Sequence, residues 1–171
     1  SCIGITVFDG RPANIVPLSD DYDTLYDIIE DIENSNLKNY ITTLNTGGLT
    51  SQIGSGLIGC VNSFDNLTER ARPQSIILST DNISSNTDVN LYQAANYAKS
   101  YGIKVYGILA GDSIPEETVA SFKRSISATK GTDQRLSSAG DLDLAAKKIV
   151  ESINEQEASI YEGASEYVYR R

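Results

Sequence analysis

The sequence predicts an α/β domain built on an open, mostly parallel, doubly wound sheet flanked by helices, with one antiparallel edge strand. Short apolar runs of strand length alternate with stretches of helical period along nearly the whole chain. Where a helix crosses between two such runs, the strands are expected to lie parallel in one sheet. A chain of 171 residues with 40% hydrophobic content is long enough to bury most of its unfolded surface in one core. A single domain is therefore expected.

The elements follow in order. "CIGITVF" (2–8) alternates Ile3, Ile5 and Val7 on one face and stops at Asp9-Gly10, a strand signal. "ANIVPL" (13–18) follows closely enough to close a hairpin with it. Leu25, Ile28, Ile29 and Ile32 fall at i, i+3, i+4 and i+7, and Ser19, Asp20, Asp21 and Asp23 crowd the start, where the helix dipole favours negative charge. That spacing predicts an amphipathic helix over 21–33. Ile53, Leu57, Cys60, Phe64 and Leu67 keep helical spacing again, and "QSIILST" (74–80) is a continuous apolar run that predicts a strand buried on both faces.

Leu91, Ala94, Ala95 and Ala98 mark a helix closed by Gly102, and "IKVYGILA" (103–110) reads as another buried strand. Ser113-Ile-Pro-Glu116 reads as a capping box opening a helix over 115–128. "QRL" (134–136) is a short last strand, and Leu142, Ala146, Ile149 and Ile153 form a closing helix. The domain is expected over 1–157, with 158–171 as a C-terminal tail that shows no pattern.

Composition removes several functions. Fourteen Lys and Arg against twenty-three Asp and Glu leave a formal charge of −9 with no basic cluster, so a nucleic-acid backbone would be repelled. No apolar run approaches the roughly 20 residues of a membrane-spanning helix, so no membrane insertion by this segment is expected. The chain has no His, which excludes Ser-His-Asp and Cys-His nucleophiles and His-ligated zinc. It also has no Met, from which residues before Ser1 and a longer or processed polypeptide are expected. Cys2 and Cys60 are either one disulfide or two small buried thiols; each sits in an apolar periodic stretch, which favours the thiols. The redox compartment stays open.

"GGLTSQIGSGLIG" (47–59) contains a literal G-x-G-x-x-G at Gly54, Gly56 and Gly59. A dinucleotide fingerprint needs a strand ending just before the first glycine and a helix opening onto the pyrophosphate. "GGLTSQI" is no strand, and these glycines fall inside the helical pattern that starts at Ile53, where they let the helix pack closely on the sheet. A Walker-type loop is excluded because no Gly-Lys-Ser/Thr follows.

Two oxygen-bearing residues then stand out. Thr50 lies in a glycine-flanked loop before a helix, and Asp81 at the carboxyl end of the run 74–80. In open α/β sheets the loops at the carboxyl ends of parallel strands meet in a crevice where ligands bind. A hydroxyl and a carboxylate there are hard donors suited to Mg²⁺. The plainer reading, in which Thr50 caps the helix and Asp81 a turn, stands beside it.

The succession "GITVFDG…IVPLSDDY", "GGLTSQIGSGL", "SIILSTDN" and "AANYAKSYGIKVYGILAG" resembles a von Willebrand factor A, or integrin I-type, domain over about residues 2–155. The resemblance implies a three-layer Rossmann-like fold and a metal-ion-dependent adhesion site. In that site one loop Thr and one strand-end Asp join an Asp-x-Ser-x-Ser motif, so Thr50 and Asp81 would be metal ligands. The chain departs from the pattern: no Asp-x-Ser-x-Ser occurs, the nearest approach being "DNISS" (81–85), and Asn82 stands where the family usually has Gly.

The first match is to the family's second strand. Its first strand and first helix, which carry the missing motif, would precede Ser1. In the family's sheet order, third, second, first, fourth, fifth, sixth, the absent strand is central, and leaving its neighbours unpaired costs about 1–3 kcal/mol per buried group. Three closures are possible: a strand supplied from elsewhere, direct pairing of strands 2–8 and 74–80, or insertion of the tail 158–171. The first is favoured.

By resemblance, the chain is a non-enzymatic protein-binding module, extracellular or at a cell surface. Mg²⁺ on its top face would bind another protein, provided the missing strand is supplied. Asp112, after strand 103–110, is either a further rim carboxylate or, in the favoured reading, a surface acid leading the next helix. The alternative from another class is a Mg²⁺-dependent phosphoryl-handling or nucleotide-binding domain using the same two residues, with Asp9 and Asp112 as the further acids. A cytoplasmic setting stays open.

Overall fold

A computed structural model describes residues 2–8, 11–34, 52–64, 73–81, 89–137 and 141–169. The elements are β1 (Ile3–Phe8), β2 (Pro12–Ser19), α1 (Tyr22–Asn34), α2 (Ile53–Asn62), β3 (Ser75–Thr80), α3 (Leu91–Ser100), β4 (Lys104–Ala110), α4 (Glu116–Ala128), β5 (Asp133–Leu136) and α5 (Leu142–Tyr169). The expected alternation of strand and helix is present, with most boundaries shifted by a residue or two and the closing helix longer than expected.

The strands form two sheets. β1 and β2 pair antiparallel, with Ile5 opposite Val16 and Val7 opposite Ala13. β3, β4 and β5 pair in parallel in that order, Ile76 lying opposite Val105 and Gly107 opposite Asp133. Among the described residues no ladder joins β1 to β3. Direct closure of strands 2–8 and 74–80 is thus not what the fold adopts, and the backbone of 158–169 is helical, so that segment supplies no strand.

One helical layer serves both sheets. α2 packs on β1 and β2 and also on β3, and α3 and α4 continue the layer over β4. The core between them holds Ile53, Leu57 and Val61 of α2, Ile76 and Leu78 of β3, Val105 and Leu109 of β4, and Phe122 and Ile126 of α4. Phe8 of β1 packs against this same cluster.

The glycines of α2 do what their helical spacing implies. A Cβ on Gly54 would stand 2.2 Å from the Val89 carbonyl oxygen, and one on Gly56 would stand 2.4 Å from the Phe8 ring. Their bare backbone lets α2 approach β1 and the start of α3. No phosphate loop is involved, because Gly54 and Gly56 are buried inside the helix.

The opposite face is covered unevenly. On it α5 sets Ala145 and Ile149 against Tyr106, Ile108 and Leu136, so β4 is buried on both sides as its apolar run predicts. β3 is not: Ile76 and Leu78 are buried, but Ile77 on the other face is 49% exposed. Sequence pattern cannot see this difference, because burial on the second face depends on which helix reaches it. α1 contacts β2 and buries Leu25, while Ile29 stays exposed, so the amphipathic stripe is only partly used.

Two further expectations are corrected. Ser113–Glu116 does not act as a capping box: α4 begins at Glu116 with Pro115 at its N-cap and no side-chain cap, leaving Ser113 outside the helix. The closing helix runs on to Tyr169. Its distal half carries Ile160, Ala164 and Val168 at i, i+4 and i+8, a helical period that the reading of 158–171 as a patternless tail passed over. Both cysteines are free; Cys60 is half-buried as a thiol, but Cys2 is exposed, contrary to the buried reading.

Candidate functional site

The direction of each element decides which loops meet. α3 follows β3 and returns along it: at its far end the Ile103 N–H donates to the Ala98 carbonyl (3.1 Å), and the Lys104 N–H to the Gln74 carbonyl just before β3 (3.4 Å). The N-terminus of α3 therefore lies at the carboxyl edge of β3. Gly54, in the first turn of α2, meets the backbone of Val89 and Asn90 at that same α3 N-terminus. At the opposite end the Tyr97 hydroxyl donates to Asn62 Oδ1 (2.7 Å), so α2 and α3 run side by side in one direction.

It follows that the start of α2 and the end of β3 share one edge. Asp81 directly follows β3 there and is exposed. Because Thr80 lies opposite Leu109, the parallel register sets Asp81 beside the Ala110-Gly111-Asp112 turn, and Asp112 is exposed too. β5 ends on the same side, where the Ser137 hydroxyl donates to the Asp141 carboxylate (3.3 Å).

Thr50 and Asp9 fall outside the described residues. Gln52, not Thr50, occupies the N-cap of α2, and it makes no side-chain cap bond. Among the described residues no three acidic or thiol side chains converge as a metal-binding group. The donor that is described, the Asp81 carboxylate, is a hard oxygen ligand of the type Mg²⁺ takes, and one such ligand leaves most of an octahedron to water or to other groups.

Sequence reading missed the residue that shapes this edge. Asn90 caps α3 in a reciprocal box: its Oδ1 accepts from the Gln93 N–H (2.8 Å), and Gln93 Oε1 accepts from the Asn90 N–H (3.1 Å). The signal was present as Asn-x-x-Gln ahead of the Leu91 stripe. Asp21 performs the corresponding task at α1, accepting from the Thr24 hydroxyl (2.7 Å) and N–H (3.1 Å). These bonds hold its carboxyl below the usual carboxylate range, the Thr24 hydroxyl first.

Within α2 the Cys60 thiol is pushed up by burial, against the opposing pull of hydrogen bonds with Thr6 and Ser63.

Comparison with known proteins agrees with this architecture. A solved structure similar to the chain is the conserved hypothetical protein BatB from Bacteroides thetaiotaomicron: 19% identity, TM-score 0.67, covering 90% of this chain and 80% of that one. At that identity the likeness concerns the fold. An uncharacterized membrane spanning protein from Vibrio fischeri aligns with 20% identity over 91% of this chain and 76% of its own, at a TM-score of 0.40. No curated protein matches. The von Willebrand factor type A domain profile matches residues 3–157. With the profile spanning nearly the whole chain and the fold matching in kind, the chain belongs to the von Willebrand factor type A domain family, whose members are generally protein-interaction modules.

Proposed function

We infer that this domain binds another protein through the edge formed by the carboxyl ends of β3, β4 and β5, and catalyses no reaction. Thr50 and Asp81 are this chain's contribution to a Mg²⁺ adhesion site. The remaining ligands belong to an Asp-x-Ser-x-Ser segment that the 171 residues do not contain. The observation that carries the reading is the shared edge: the first turn of α2, three residues beyond Thr50, meets the α3 N-terminus that follows Asp81. With two protein donors the ion keeps most of its waters, so affinity in the isolated chain is weak and one position is open to a partner's carboxylate.

Mn²⁺ substitutes for Mg²⁺ at hard oxygen sites and broadens nearby nuclear magnetic resonances even when binding is weak. In the 171-residue chain, broadening is expected to centre on the amides of 52–54 and 80–81 and to vanish in Asp81→Asn and Thr50→Val. Broadening unchanged by either substitution would refute the assignment. Calorimetry with ATP separates the phosphoryl-handling alternative: heat that appears only with ATP and Mg²⁺ together would replace the adhesion reading.

A further inference from the structure

Most of the chain's charge sits on one helix. Residues 20–33 hold seven acidic side chains and no base, so they carry −7 of the formal −9, and everything else together comes within two charges of neutrality. They lead into and form α1, which has Asp23 in its first turn and no base in its last. Acids suit the first turn, where the helix dipole is positive, but further along they repel one another at i, i+3 and i+4 and approach the dipole's negative end. Asp23 and Asp27, and Asp27 and Glu30, stand at those spacings. The helix thus carries an unfavourable row of charge that cations would relieve.

An aromatic stripe runs beside that row. On the flank by which α1 packs on β2, Leu25 is buried and Ile28 and Ile32 are half-buried. About 100° further round the helix, Tyr22, Tyr26 and Ile29 follow one another at i, i+4 and i+7 and are 42%, 71% and 36% exposed. Asp23, Asp27 and Glu30 come next on the outer side and are exposed too. Large apolar side chains in line and bordered by charge are the pattern by which one helix anchors to another.

We propose that this flank of α1 docks a basic amphipathic helix from a second polypeptide. The partner's apolar stripe lies along Tyr22, Tyr26 and Ile29, and its Lys or Arg side chains, one per turn on one border of that stripe, meet Asp23, Asp27 and Glu30. A helix fits because the three anchors run along α1 for two turns, and a second helix laid beside it offers apolar contacts and cations in the same period. Charge names the partner: a nucleic acid or an anionic lipid surface is repelled by this face. A second copy pairing the same flank about a two-fold axis would set seven acids against seven. The inference uses no residue of the Asp81 edge and holds whether or not a metal binds there.

The test titrates the whole 171-residue chain by calorimetry in low salt with a capped peptide of three Lys-Leu-Ala-Lys-Leu-Leu-Lys repeats, long enough to hold a helix. Binding is expected, and Tyr26→Ala, or Asp27→Asn with Glu30→Gln, is expected to weaken it about tenfold or more while leaving the circular dichroism of the chain unchanged. Glu151→Gln with Glu155→Gln, exposed on α5, removes the same charge and is expected to leave the affinity as it was. A peptide with Glu for each Lys, or with two central prolines that break its helix and keep its charge, is expected not to bind. No binding, equal loss from the α1 and α5 pairs, or equal binding by the proline peptide would overturn the proposal. So would a chain that sediments alone as a dimer and is dissociated by Tyr26→Ala, with a second copy on this flank.

Discussion

Thr129, at the C-cap of α4, is buried at 4% exposure and holds the helix to the sheet by its hydroxyl. Oγ1 accepts from the Val105 N–H (2.9 Å) and donates to the Ile126 carbonyl (2.8 Å). β5 first pairs with β4 at Gly107, so Val105 lies ahead of that ladder and the Thr129 oxygen stands in for a strand. Thr129→Val keeps the shape and strands the Val105 N–H in the core. An orphaned buried donor costs about 1–3 kcal/mol, offset in part by the added methyl, for a net loss of about 1–2 kcal/mol. With a urea m-value of about 2 kcal/mol/M, the midpoint falls by about 0.5–1 M at unchanged m. Thr129→Ser keeps the oxygen and is expected to retain slow exchange at the Val105 amide, which Thr129→Val loses. A Thr129→Val midpoint equal to that of the parent chain, or a slow Val105 amide in that variant, would refute the reasoning.

Three other outcomes follow from the same geometry. Gly54→Ala gains about 1 kcal/mol of helix propensity but sets a Cβ 2.2 Å from the Val89 carbonyl oxygen, so denaturant titration should show net destabilisation even though Gly→Ala in an exposed helix stabilises. Asn90→Ala removes the reciprocal cap of α3 and should lower stability by about 1 kcal/mol, while Asn90→Ser restores most of it. Because burial raises the Cys60 thiol, its contribution to stability is complete below the thiol's ordinary value and is lost as pH rises through the higher folded value. Cys60→Ala should flatten that alkaline decline, and alkylation of the folded chain should strike exposed Cys2 well before Cys60.

Much of the chain's organisation was legible because it is local. The period of Leu91, Ala94, Ala95 and Ala98 and the apolar run 103–110 specify a helix and a strand wherever they are placed, and both were found. The glycines of 54–59 were readable as packing residues because they interrupt a helical stripe and do not follow a strand. Asp81 was legible as a strand-end acid for the same reason. The cap of α4 was misread, since a capping-box pattern at Ser113 competes with Pro115, and the first helical turn settled one residue beyond the proline.

By itself the sequence determined the alternation of elements, the acidic surface, the absence of histidine chemistry and the family pattern. Tertiary structure alone decided which faces are covered and which edges meet. Ile77 and Tyr106 are both apolar residues in strands of like pattern, yet one is exposed and the other buried, because α5 reaches β4 and stops short of β3. That no ladder joins β1 to β3 among the described residues is likewise invisible to periodicity: a strand's pattern records which side chains seek a core, whereas its neighbours are chosen by hydrogen bonds to residues far away in the chain.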